Sequence, residues 1–576
     1  MVNYNNINAA SLNQWCSSIE SGHFDREFGR IYGVDQIAVW RTHYLGALEK
    51  FAEIHGNAGE VVVARCPGQM NVMGMHIDYG GMPSLRLAVR GADTLVVARA
   101  TPKSRKVRIA SILHASGEAE DRFAPIELDL DAILPTERVV ERQALMDYAG
   151  RICQERLETE GSALADDWSA LIAGQLVYLE SYFRDRLALY GFDALVWSSV
   201  SPSGGMSSSS ALVVATALAT LGVHGLEPHR DMLTEDLIDG LGTSEWIRGT
   251  RGGTADHGGM ILGRSGRLIS IGVFPACAQG EAVLPDEYAA LVLDSGIVRE
   301  YDEAVKEETV IAYPLGTFIA RELILPRFKD DPSFAGLVGD FRERIDFIRD
   351  LTVDNLGLSL SALYRILGEM PKRTSLAKLG AECREVGISD RFDEWYQREI
   401  AGKFQFLTED TTLFVRRRCA FGLAEQDRVD GMIEYLNAGD MPAAFELIRI
   451  SHEGDLDAEV GDEVLADLAA RADRGEQRAG LRFLAGGYGR MTPPYDRLVR
   501  LANDFLVGCG ATVGSVQRLG AGWGGNIGGL IHRDFIDSER GREFVDRLSS
   551  LIGHEPEMAM IAAGEGAVLL PAPQEY

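Results

Sequence analysis

The chain has 576 residues, 46% hydrophobic and 25% charged, an ordinary globular composition. Its 57 basic and 85 acidic residues give a formal net charge of −28, which argues against nucleic acid or an anionic membrane as partner, because each needs a basic surface. The seven cysteines stand singly with no CxxC pair, so neither a disulfide framework nor a zinc site is suggested.

The start, Met1-Val2-Asn3-Tyr4-Asn5-Asn6, lacks the basic-then-apolar pattern of a secretory leader. No apolar run is long enough to span a bilayer. The chain reads as soluble and cytoplasmic. Residues 1–60 read as a helical prelude, with helical spacing of apolar positions over 36–54. Strands are expected at 61–65, closed by a Cys66-Pro67-Gly68 turn, and at 92–100 and 106–111. Helical periodicity marks 140–160 and 168–189. A strand at 195–200 leads through Ser201-Pro202-Ser203-Gly204-Gly205-Met206 and four serines into a helix at 211–221. Residues 320–420 look helical and charged, 425–510 alternate helices with loops, and strands return near 513–518 and 528–532. A strand-rich first part with helices inserted and appended predicts an α+β chain of two lobes.

Four segments have the composition of a site. In Ser203-Gly204-Gly205-Met206-Ser207-Ser208-Ser209-Ser210 two glycines let the backbone approach a bulky anion, and the helix start offers unpaired N–H groups. The serine hydroxyls could cap the helix, bond phosphate or reach Mg²⁺. Read alone, the run is equally a well-capped helix after a turn, and it is not a Walker loop, since no GK[ST] closes it. In the second, Arg65-Cys66-Pro67-Gly68-Gln69-Met70-Asn71 runs on to His76-Ile77-Asp78-Tyr79-Gly80-Gly81, with polar side chains among apolar ones. A polyol needs such paired donors and acceptors; a hairpin whose His and Asp satisfy each other would look the same. The third, Gly249-Thr250-Arg251-Gly252-Gly253-Thr254-Ala255-Asp256-His257, offers a base, a metal ligand or turn chemistry. The fourth is Gly520-Ala521-Gly522-Trp523-Gly524-Gly525.

In order and spacing these segments resemble the galactokinase branch of the GHMP kinases. There the first motif reads P-G-R-x-N-L-I-G-E-H-T-D-Y-x-G-G, followed by a Gly-rich loop ending in L-S-S-S-A, a G-x-P-x-G-I-M-D loop and a late G-x-G-F-G-G. The resemblance implies an α+β, two-lobed GHMP kinase fold: a ribosomal protein S5-like N-terminal lobe with a left-handed βαβ unit, and an α+β C-terminal lobe. The lobes are expected at residues 1–310 and 311–576, with helical insertions near 115–190 and 320–420. It implies ATP-dependent phosphorylation of a monosaccharide at the anomeric hydroxyl, giving a sugar 1-phosphate, with Mg²⁺ and no nucleic-acid or membrane partner. Asp256 is then the catalytic aspartate. Gly204, Gly205, Ser207, Ser208, Ser209 and Ser210 cradle the ATP phosphates, and Ser209 helps hold Mg²⁺. His76, Asp78, Gly253 and Tyr301 hold the sugar. Glu300-Tyr301, with Glu307 and Glu308 following, resembles the segment that supplies a sugar-contacting tyrosine, and Ser451-His452 a later S-H element. Two alternatives share the fold: a non-catalytic sugar and ATP sensor, and a kinase for a non-sugar alcohol.

Two positions depart from the pattern. Gln69 stands where the family has an arginine and cannot carry its charge, so another cation, Arg251 or Arg65, is expected to serve. Met75 replaces the family's sugar-binding glutamate and cannot accept a hydrogen bond from a 6-hydroxyl, which argues against galactose itself.

Overall fold

A computed structural model describes residues 7–113, 123–160, 167–201, 205–249, 253–300, 302–337, 340–520 and 522–573. The chain divides into two compact units: Met1–Asn71 with Arg86–Leu284 and Ile561–Tyr576, and Val72–Leu85 with Pro285–Met560. The change of unit thus comes at 284/285, upstream of 310, and the chain's end returns to the first unit.

The first unit is built on strands β1 (Ala10–Ser11), β2 (Glu60–Met73), β3 (Ser84–Thr101), β4 (Lys106–Leu113), β5 (Ile126–Asp129), β6 (Gly191–Ser198), β7 (Arg267–Gly272) and β8 (Cys277–Val283). Their order is β1-β2-β3-β6-β4-β5, with β7 beside β3 and β8 beside β7. β4 and β6 run parallel, with Val107 opposite Phe192, while β3 and β6 are antiparallel, with Thr94 opposite Ser198. Side chains alternate across a strand, and here both faces are buried. Val62 and Ala64 of β2, Val96 and Ala98 of β3 and Ala194 and Val196 of β6 pack with the helices Ser169–Phe183 and Ser208–Val223. Val61 and Val63, Leu95 and Val97, and Leu195 and Trp197 pack with Leu12–Glu20, Asp25–Tyr32 and Ile37–His55. That is why these strands read as near-continuous apolar runs.

The second unit contains β9 (Tyr288–Asp294), β10 (Gly514–Arg518), β11 (Asn526–His532) and β12 (Met558–Ile561), in the order β10-β11-β9-β12. β10 and β9 each pair antiparallel with β11, and the helices Pro493–Cys509 and Glu539–Ile552 cover the sheet through Leu498, Leu506, Phe544 and Leu548. A separate helical core gathers Glu303–Phe318, Leu360–Glu369, Leu376–Glu385 and Val415–Ala438. The last strand, β13 (Val568–Leu569), pairs with β2, Val568 opposite Arg65.

The fold is α+β, as expected from the sequence. Among the described residues no helix is long and apolar enough to cross a membrane. One local expectation fails: Cys66-Pro67-Gly68 is not a turn, because β2 runs through it to Met73. Proline removes a ladder donor there, and two residues on the Gln69 N–H bonds to the Met206 carbonyl at 3.1 Å. A Cβ on Gly68 would lie 3.2 Å from Met206 Cβ, so the glycine serves close approach of the serine loop.

Candidate active site

The helix Ser208–Val223 is mostly apolar from Ala211 onward and buried there except at Leu212, while Ser208 and Ser209 in its first turn are half-buried and Ser210 is buried. A helix start leaves its first N–H groups without intrahelical partners. Ser207, at the capping position, makes no side-chain cap bond and holds a left-handed φ of 55°. Its hydroxyl points elsewhere: Oγ donates to Asp256 Oδ2 at 2.5 Å and accepts from Gln69 Nε2 at 2.9 Å. Gly205 also has a positive φ, of 69°. Gly204 lies outside the described residues.

Asp256 sits in the first turn of the short helix Ala255–Ile261. Its other oxygen, Oδ1, accepts from Arg86 Nη1, and the same Nη1 donates to Gln69 Oε1 at 3.0 Å. Ser207, Gln69 and Arg86, from three other segments, therefore close a hydrogen-bonded ring with the carboxylate. Gly253 is half-buried at the mouth of this turn. His257 turns away to Glu245, with Nε2 2.9 Å from Oε1, and is a buried core histidine. The expectation that Arg65 supplies a cation fails. It is fully buried, bound through Nε and Nη2 to Asp93 at 2.8 Å each and through Nη1 to the Glu565 and Gly566 carbonyls. Arg251 lies outside the described residues.

In the second unit His76 is a non-glycine residue at φ 63°, a conformation that needs surrounding contacts to hold it. Its ring stacks on Tyr488 at 5.1 Å, and Nδ1 accepts from Arg490 Nη1 at 3.2 Å. The proton is thereby assigned to Nε2, which lies out of solvent with no hydrogen-bond partner among the described residues. Burial, reinforced by Arg518, Arg490 and Arg299, holds this imidazole well below its ordinary pKa, so it is neutral. Asp78 is buried and opens a short turn by accepting from the Tyr79 N–H at 3.1 Å. Burial pushes the Tyr79 phenol up to about 12. The hydroxyls of Tyr79, Tyr313 and Tyr488 are likewise buried without partners among the described residues. Tyr79 lies 5.7 Å from Tyr313, and Tyr313 6.3 Å from Tyr488, ring to ring. Arg490 faces Tyr488 and Trp523 at 5.2 and 5.0 Å and bonds Thr309. It lies in no recognised motif.

Several neighbours prove to be scaffolding. Glu307 accepts the amides of Gln405, Phe406 and Leu407, and Glu308 pairs with Arg418. Ser451 Oγ donates to Glu425 at 2.7 Å, and His452 bonds Asp496. Tyr301 and Ala521 lie outside the described residues. Met75 is buried. The nearby carboxylate of Glu425 does not stand in for the family glutamate: Oε1 takes Gly74 N–H and Ser451 O–H, and Oε2 takes Arg428.

The galactokinase galactose-binding signature matches residues 49–100, spanning His76 and Asp78. The GHMP kinases N terminal domain matches residues 171–264, spanning the serine loop and Asp256. An L-arabinokinase from Arabidopsis thaliana is 25% identical over 259 residues, which cover 41% of this chain and 23% of that protein. A galactokinase from Candida parapsilosis is 25% identical over 383 residues, covering 64% and 68%. The chain thus spans about a quarter of the arabinokinase and two-thirds of the galactokinase. The crystal structure of Lactococcus lactis galactokinase complexed with galactose superposes with a TM-score of 0.56 at 17% identity, covering 92% of this chain and 100% of that one. The fold is that of a galactokinase, and the resemblance to the galactokinase branch of the GHMP kinases is borne out.

Proposed function

We propose that this chain is an ATP-dependent sugar kinase that transfers the γ-phosphoryl group to the anomeric hydroxyl of a monosaccharide, giving a sugar 1-phosphate. The observation that carries the reading is the 2.5 Å bond from Ser207 Oγ to Asp256 Oδ2. It ties a carboxylate to the start of a helix that has no side-chain cap and whose first N–H groups lack intrahelical partners. Phosphoryl transfer asks for that pairing: donors for the phosphates and a carboxylate for the attacking hydroxyl's proton.

In this scheme the amides and hydroxyls of the segment Gly204–Ser210 bind ATP phosphates. Asp256 takes the proton of the sugar hydroxyl as it attacks. His76, Asp78, Gly253 and Tyr301 hold the sugar. Among the described residues no three His, Cys, Asp or Glu side chains stand together as a metal cage. Mg²⁺ suits such a site, since it binds largely through phosphate oxygens and water; Ser209 would supply a hydroxyl to it. When bound, the ion neutralises charge on the phosphates.

The sugar is inferred from hydrogen-bond polarity. Beside Met75 the loop presents a donor, His76 Nε2–H, and the Glu425 carboxylate is already engaged by Gly74 N–H, Ser451 O–H and Arg428. A buried 6-hydroxyl without an acceptor would cost about 1–3 kcal/mol. A pentose, a 6-deoxy sugar or a 6-carboxy sugar avoids that loss. The L-arabinokinase relative, whose sugar is a pentose, supports the same direction. An ADP-release screen over hexoses, pentoses, deoxy sugars and uronic acids is the test. Sugar-dependent release with a higher kcat/KM for one of these classes than for galactose is expected. No sugar-dependent release would overturn the kinase reading, and a clear preference for galactose would overturn the substrate reading.

A further inference from the structure

Gln69 leaves the family's cation unaccounted for; of the two substitutes expected from the sequence, Arg65 is locked to Asp93, and Arg251 lies outside the described residues. We infer that Arg86 is the positioning cation of Asp256 and carries, from the neighbouring strand β3, the charge that a glutamine at position 69 cannot. The inference rests on the reading of Asp256 as proton acceptor.

Three observations support it. The first is connectivity. Arg86 Nη1 bridges Gln69 Oε1 (3.0 Å) and Asp256 Oδ1, while Gln69 Nε2 reaches Ser207 Oγ (2.9 Å), which donates to Asp256 Oδ2. Arg86 and Ser207 thus hold the carboxylate from its two sides, and Gln69 links them. A guanidinium at 69 and an amide at 86 could make the same ring with the charge on the other member. The second is asymmetry of burial. In the pairs Arg65–Asp93 and Arg518–Asp455 both side chains are 0% exposed, so those pairs are internal struts. In Arg86–Asp256 the cation is 4% exposed and the carboxylate 31%. The buried member presents the exposed one, which is the arrangement for a carboxylate that must meet a ligand. The third is accommodation. Arg86 is a charged residue between buried Leu85 and Leu87, a placement that costs free energy unless it is paired. A Cβ on Gly259 would come within 3.2 Å of Arg86 Cβ and Cδ, so the Asp256 helix carries a glycine where the arginine passes.

The test is an exchange. kcat, KM and thermal midpoint are measured for Arg86→Gln, Gln69→Arg and the double variant Gln69→Arg/Arg86→Gln, using a sugar on which the unaltered enzyme is active. Arg86→Gln is expected to lower kcat about 100-fold, as loss of a preorganised charged donor does, with KM for sugar nearly unchanged. Gln69→Arg alone sets two guanidinium groups side by side and should also impair turnover. The double variant should recover at least a tenth of the original kcat. An Arg86→Gln enzyme with near-normal kcat overturns the proposal, as does a stable double variant no faster than Arg86→Gln. Should the unaltered chain turn over no sugar, the function reading fails, and a thermal double-mutant cycle of Arg86→Gln with Asp256→Asn still decides the pairing. The double variant is then expected to be more stable than the sum of the single losses predicts; additive losses overturn it.

Discussion

The two groups of candidate residues differ in how they use their hydrogen bonds. Around Asp256 the polar side chains close on one another: both carboxylate oxygens, the Ser207 hydroxyl and both ends of the Gln69 amide are engaged. Around His76 the reverse holds, since His76 Nε2 and the hydroxyls of Tyr79, Tyr313 and Tyr488 are buried with no partner among the described residues. An unmade buried hydrogen bond costs free energy, so it is kept where a ligand or water completes it. Under the proposed function, the first group is set for chemistry before substrate arrives and the second keeps its bonding capacity in reserve. On that proposal, reactivity and recognition are divided between two sets of side chains.

Variants can break that division. The largest effect is expected from Asp256→Asn, which keeps shape but loses the proton acceptor. Turnover should fall at least 100-fold, in line with general-base contributions of about 10²–10⁴, while sugar affinity by calorimetry survives in part. Retention of most activity would remove Asp256 from the mechanism. Gly205→Val comes next. A β-branched residue at φ 69° is strained, and the loop's approach to phosphate should suffer, raising KM for ATP about tenfold or more, a loss comparable to one or two charge-assisted hydrogen bonds. Unchanged ATP kinetics in a folded variant would contradict the loop's role. His76→Phe keeps the stacked ring but removes the reserved donor. KM for sugar should rise about 5- to 20-fold, the worth of one buried hydrogen bond, with KM for ATP unmoved; a rise in both would deny the division itself. The smallest change is a gain: Met75→Glu should raise kcat/KM for galactose several-fold, and no gain would mean that another group already serves the 6-hydroxyl.

Much of this was legible in the sequence. The helices at Ile37–His55 and Arg142–Glu160 follow apolar periodicity, the Ala-, Leu- and Val-rich run closed by Gly222 marks Ser208–Val223, and the strand–serine–helix passage puts Ser207 at a helix start. The Pro67-Gly68 pair misled, because a proline–glycine step ordinarily breaks a strand, whereas here tertiary contact with Met206 keeps the chain extended. Arg86 is not legible in the sequence because it belongs to no motif. Its one signal is a charge inside the run Ser84-Leu85-Arg86-Leu87-Ala88-Val89, where burial demands a partner that local sequence does not name. Arg490 was hidden in the same way, its role depending on His76, more than 400 positions away.

The central claim is that the phosphoryl group passes to the anomeric oxygen under the control of Asp256. Phosphorus NMR of the product made from ATP and the best sugar of the screen tests it directly. The account predicts a phosphate resonance coupled to the anomeric proton, formed by the unaltered enzyme and greatly slowed in Asp256→Asn. A phosphate on another carbon, or ADP accumulating with inorganic phosphate and no sugar ester, would contradict it.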